Sequence, residues 1–162
     1  DAERWAIEWW PRMGGWAVLL EDRIVGCGFA QLAWSPLHDL NVSPMFEDVV
    51  DWSDLIARDP VAIYVGTRNA VSKSALSPRQ RMTAQQILIE SAFQLSDLPG
   101  ETYLVSGMRR ATLRLYRMFG VHVDEGQPFV DPRAPGLGLV SILVTGSKLP
   151  SGMRQPFMER QV

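Results

Sequence analysis

The chain has 162 residues, 46% of them apolar, which is enough for one hydrophobic core. Its 16 basic and 18 acidic residues leave a net charge of −2, so a polyanion such as nucleic acid is a poor partner. The single cysteine, Cys27, excludes an internal disulfide and fits a reducing cytoplasm, and no apolar run reaches the roughly 18–20 residues of a membrane span.

Residues 2–10, AERWAIEWW, read as a short amphipathic helix halted by Pro11 and Gly14–Gly15. WAVLL (16–20) and IVGCGFAQL (24–32) flank Glu21–Asp22–Arg23, a hairpin signal. Residues 33–60 are irregular, with one short helix expected over 45–56. At helical spacing Glu47, Asp51 and Asp54 would share one solvated face of it. VAIYV (61–65) is a continuous apolar run, as in a strand buried on both faces, and Thr67–Arg68–Asn69 then reads as its end.

After a polar connection, Ala84, Ile87, Leu88, Ser91, Ala92 and Leu95 form one stripe on a period of about 3.6 residues, predicting a helix over 83–97. Two capping boxes compete for its start, Ser77 with Gln80 and Thr83 with Gln86. ETYLVS (101–106) reads as a strand. MRRATLRLYRMFG (108–120) reads as a helix with Met108, Ala111, Leu115, Tyr116 and Phe119 inward and Gly120 as its stop. VHVDEGQPFV and LGLVSILVT close the sheet. The expected architecture is one α/β domain over 1–150, a mixed central sheet with helices on both faces, followed by a tail over 151–162. No signal peptide is visible, and because the chain opens on Asp1 its natural N-terminus is expected to extend further.

The later half resembles the GNAT acyltransferases. Their helix of the form N-x-x-A-x-x-L-Y-x-x-x-G-F is matched here at Leu115, Tyr116 and Gly120, with Arg109, Thr112 and Val121 at three departing positions. Their phosphate-binding loop, [QR]-x-x-G-x-[GA], is similar to Arg79-Gln80-Arg81-Met82-Thr83-Ala84, with Met82 in place of the central glycine. Acyl-homoserine-lactone (autoinducer) synthases, a quorum-sensing branch of that fold, are similar over more of the chain. The shared positions are Val25-Gly26-Cys27, Pro36, Leu40, Phe46, Thr67-Arg68 with Val71, and Gly126-Gln127-Pro128. Two positions depart from the branch: Phe29 stands where it has an arginine, and Val65 where it has a glutamate. In the branch, the N-terminal region also carries functional residues.

The resemblance implies transfer of an acyl group from an acyl carrier protein or coenzyme A thioester to a small amine, S-adenosylmethionine if the branch's chemistry is kept. Tyr116 is then the acid that protonates the leaving thiolate. Arg68 either forks onto donor phosphates or pairs with a nearby acid. Residues 79–84 would hold the donor's phosphates, and Phe29, Val65 and Ser106 would face the acceptor. Two other readings stand beside this one, an acetyl-coenzyme A-dependent N-acetyltransferase and a non-catalytic acyl- or nucleotide-binding descendant of the fold. His38 and His122 are isolated from any cluster with ligand spacing, so no metal is expected.

Overall fold

The computed structural model describes residues 13–93, 100–131 and 134–150. The expected helix over 2–10 and the tail over 151–162 lie outside the described residues. Six strands form one sheet in the order β1-β2-β3-β4-β6-β5. β1 (Met13–Leu20) and β2 (Arg23–Trp34) form the anticipated hairpin. Its two-residue turn places both Glu21 and Asp22 at positive φ, 47° and 62°, the primed geometry that suits the twist of a hairpin.

Two short helices follow, α1 (Pro44–Glu47) and α2 (Trp52–Ala57). The single helix expected over 45–56 is therefore interrupted. Asp51 ends the continuity by acting as the cap of α2, its Oδ1 accepting from the Asp54 N–H at 3.0 Å. That role also removes Asp51 from the shared acidic face expected with Glu47 and Asp54.

β3 (Ala62–Val71) pairs antiparallel with β2 and parallel with β4 (Thr102–Met108). The strand does not stop at Thr67–Arg68–Asn69. It runs on to Val71 because β2 continues to supply hydrogen bonds on one side, which a reading of polarity alone misses. The connection between β3 and β4 carries α3, described over Pro78–Phe93. Of the two competing starts, Ser77 with Gln80 holds. Ser77 Oγ accepts from the Gln80 N–H at 3.3 Å, and Gln80 Oε1 accepts from the Ser77 N–H at 3.0 Å. Thr83 sits inside the helix, its hydroxyl donating to the Arg79 carbonyl at 3.3 Å.

α4 (Arg110–Met118) follows β4, and Gly120, at φ 78°, ends it. Its buried residues are Leu113 and Tyr116, whereas Ala111 is exposed. Of the expected inward set, Met108, from the end of β4, Tyr116 and Phe119 do pack in the core, and Leu113 is buried where Ala111 was expected to be. β5 (Asp124–Phe129) and β6 (Leu139–Thr145) complete the sheet antiparallel to one another and to β4.

Helices cover both faces. Leu88, Ile89, Leu113 and Tyr116 of α3 and α4 pack on one, together with Leu104, Met108, Val140 and Val144. Phe46, Trp52 and Leu55 pack on the other, over Ile63, Val65, Tyr103 and Val105.

Candidate active site

The two central strands part company within the sheet. Parallel pairing of β3 with β4 begins at Ala62↔Thr102 and stops at Gly66↔Ser106. At that point β3 is irregular: Ala30 pairs with Gly66 and Phe29 with Arg68, which leaves Thr67 as an extra residue in the ladder. Beyond it β3 follows β2 and β4 follows β6, so the facing backbone edges of the two strands border an opening. The Ser106 hydroxyl closes the last rung by donating to the Gly66 carbonyl at 2.9 Å. Gly66 leaves room for that bond, since a Cβ there would lie 3.3 Å from Ser106 Oγ.

A cleft of about 850 Å³ occupies the opening. It reaches both faces of the sheet. Trp16, Met82 and Tyr116 border it from the side of α3 and α4, and Met45 and Phe46 from the side of α1. Three cations, Lys73, Arg81 and Arg109, lie along it, and Asp131 is the one carboxylate among its described lining residues. Phe29, Met45, Phe46, Leu137 and Leu139 are among its apolar lining residues. Such a wall suits a hydrocarbon chain, while the cations suit phosphate or carboxylate groups.

The candidates drawn from sequence distribute unevenly around this cleft. Tyr116, Phe29, Ser106, Arg81 and Met82 line it. Arg68 lies within β3 opposite Phe29 instead of at a strand end, on the stretch that has left β4. Val65 is 0% exposed and packs with Ile63, Tyr103 and Val105 in the core beneath α1 and α2, so nothing at this position reaches the cleft.

Residues 79–84 are helix, not loop. Ser77 starts the helix five residues before the expected position, and the Arg81 N–H already bonds the Ser77 carbonyl at 2.9 Å. Gln80 is engaged in the cap, Arg79 is exposed outside the cleft, and Ala84 is buried against Val18, Val25 and Leu88.

Lys73, Thr112, Arg109 and Asp131 enter the lining without having been singled out for it, and Trp16, whose first reading in sequence is core or lid and whose second is an acyl-pocket wall, lines it too. Arg109 and Thr112 were visible only as departures from a helix motif. Trp16 carries a further signal, because its indole N–H is buried and finds no hydrogen-bond partner among the described residues. An unmet buried donor costs about 1–3 kcal/mol, which an acceptor on a bound molecule or an ordered water would offset. Tyr64 packs partly buried against the core, and burial pushes its phenol above the usual tyrosine value. Among the described residues no group of three or more His, Cys, Asp or Glu side chains is placed to hold a metal ion.

No protein-family model and no curated protein sequence matches the chain. Solved structures do match. FeeM, an N-acyl amino acid synthase from uncultured soil microbes, superimposes with a TM-score of 0.59 at 10% identity, over 85% of this chain and 75% of FeeM. BjaI, a CoA-dependent acyl-homoserine lactone synthase solved with SAM and isopentyl-CoA, gives 0.55 at 13% identity, over 88% of this chain and 61% of BjaI. NAA60 of Arabidopsis thaliana in complex with acetyl-CoA gives 0.50 at 16% identity, over 83% of this chain and 75% of NAA60. The chain has the GNAT-like acyltransferase fold. At these identities the likeness is one of fold, and the GNAT-like sheet with its parted central strands is what the chain shares with these proteins. The chain spans about three-fifths of the BjaI length, so part of that protein has no counterpart here.

Proposed function

We propose that the chain is an acyltransferase that takes an acyl group from a coenzyme A or acyl-carrier-protein thioester and transfers it to the nitrogen of a small amine, S-adenosylmethionine being the first acceptor to try. The observation that carries this reading is the cleft itself, an opening between two parted strands with an apolar arm, three cations and Tyr116 on one surface. An amine nitrogen attacks the thioester carbonyl carbon, and collapse of the tetrahedral adduct forms the amide and breaks the carbon–sulfur bond. The amine loses one proton to water before it attacks and a second as the amide forms, while the Tyr116 hydroxyl protonates the departing thiolate and is reprotonated from water. Asp131 would attract the protonated amine as it arrives, a task for which Val65 has no group. Lys73, Arg81 and Arg109 would neutralise phosphates of the donor.

The apolar side chains of Phe29, Met45 and Phe46 on one side of the cleft favour longer acyl donors over acetyl-coenzyme A. The test is thiol release from a panel of coenzyme A and acyl-carrier-protein thioesters, with S-adenosylmethionine and a pool of other amines as acceptors. Long-chain donors are expected to turn over in preference to acetyl, with Asp131→Asn raising the KM of the amine and leaving that of the donor. Turnover of acetyl-coenzyme A alone would establish the N-acetyltransferase instead, and thioester binding without turnover would establish a non-catalytic descendant.

A further inference from the structure

The described lining of the cleft is divided by polarity. Its three cations come from α3 and the segments that lead into α3 and α4: Lys73 between β3 and α3, Arg81 on α3, and Arg109 just before α4. β2 and α1 contribute Phe29, Met45 and Phe46 and no charged residue. These three share one face of the sheet. Gln31 pairs with Val65, which packs beneath α1 and α2. Side chains two apart on a strand point to the same side, so Phe29 lies on the α1 side with Met45 and Phe46.

Phe29 has a seat on the neighbouring strand. Its partner on β1 is Gly15, and a Cβ on that glycine would lie 3.0 Å from both Cδ1 and Cε1 of the ring. The ring therefore leans over β1, on the side away from β3, and takes the space that a side chain at residue 15 would fill. Set back in this way, it borders the cleft as part of its wall. Gly15 is thus the residue that admits the ring.

We propose that Phe29, seated over Gly15, is the residue against which the acyl chain of the donor packs, so that it sets how strongly longer chains are preferred. The proposal rests on the acyl-transfer reading above and adds its specificity element. It assigns Phe29 to the donor, whereas the family resemblance points to the acceptor. A cationic acceptor would need an open aromatic face. A methylene chain needs only apolar area, which Met45 and Phe46 supply beside Phe29. The charged end of the same donor then lies towards Lys73, Arg81 and Arg109.

Calorimetric titration with coenzyme A thioesters of straight-chain acids, acetyl to palmitoyl, reads this without needing the acceptor. The wild type is expected to gain affinity with chain length, by up to about fourfold for each methylene that is fully buried. Phe29→Ala should weaken binding of the long-chain thioesters about tenfold and that of acetyl-coenzyme A by less than about twofold, which flattens the series. Phe29→Leu flattens it less, and serves if the alanine variant fails to fold. Gly15→Val drives the ring off its seat and is expected to lower long-chain affinity too. In the Phe29→Ala background it should add nothing, because no ring is left to displace. An unchanged slope in the folded Phe29 variants, or an equal loss for acetyl and long chains, overturns the acyl contact. So does an effect confined to the KM of the amine in turnover assays, which would give Phe29 to the acceptor. Equal effects of Gly15→Val in both backgrounds overturn the seat. A wild type that binds no thioester overturns the proposal together with the acyl-transfer reading, whereas binding that tightens with chain length and ignores Phe29 overturns the proposal alone.

Discussion

Tyr116 is 4% exposed, packs in the core beneath α4 and still borders the cleft. Tyr116→Phe keeps the ring and removes only the proton donor. Steady-state assays with the preferred thioester are expected to show kcat reduced by about 10²-fold or more, with donor binding nearly unchanged. A parallel rise in donor Kd would assign Tyr116 to binding instead. In sequence Trp16 reads as core or lid first and as a wall of an acyl-chain pocket second. Only the register, which sets Trp16 opposite Gly28, and the unmet indole N–H distinguish it. Val65 shows the converse. A family motif pointed to the position, but on an alternating strand an apolar residue there faces the core, and a carboxylate would be buried among Ile63, Tyr103 and Val105.

The helix that follows β3 owes its start to four local atoms, the N–H groups and side-chain oxygens of Ser77 and Gln80. Ser77→Ala is expected to cost about 1 kcal/mol in urea unfolding, and to shift Arg81 and Met82 where they border the cleft. Gln80→Ala should cost less, because the helix keeps the Ser77 acceptor. Elements of this kind were legible in sequence: the hairpin turn, the apolar run of β6 and the Gly120 stop are written within a few consecutive residues, whereas the Ser77 cap was one of two competing starts. Three things were not. The extension of β3 past Gly66 depends on β2, over 30 residues earlier in the chain, so its polar sequence reads as loop. The division of α1 from α2 depends on which of several acids becomes a cap. The burial of Leu113 in place of Ala111 depends on the core that α4 packs against, Leu104, Val140 and Val144 included. The cleft inherits all of these, since strand parting and the added Thr67 decide which side chains meet there.

Across the whole molecule, helices pack on both faces of the sheet, and Tyr64 lies against the core on the face of α3 and α4. Its phenol is raised by burial, so the folded state holds the proton more tightly than the unfolded chain does. The resulting contribution to stability is complete below the ordinary tyrosine value of about 10 and disappears as pH climbs through the folded value. Thermal melts across the alkaline range are expected to fall less steeply for Tyr64→Phe than for the wild type. Equal slopes would show that the Tyr64 hydroxyl is solvated.

The short parallel ladder has a consequence for how the sheet opens. β1-β2-β3 forms one leaf and β4-β6-β5 another, and among the described residues the strand pairing between them runs from Ala62↔Thr102 to Gly66↔Ser106, preceded by the Val61 N–H donating to the Glu101 carbonyl. The seam ends on a single side-chain bond, that of Ser106 to the Gly66 carbonyl. Local opening is expected to follow this seam before either leaf frays inside. Ser106→Ala removes about 1 kcal/mol of net bonding, so amides bonded across the seam should exchange with deuterium about fivefold faster, while those linking β1 to β2 keep their rates. Uniform acceleration throughout would mean that the leaves open together. The same parting of strands that makes room for a ligand therefore divides the protein into two units of separate breathing, and anything bound in the cleft lies across the line where they come apart.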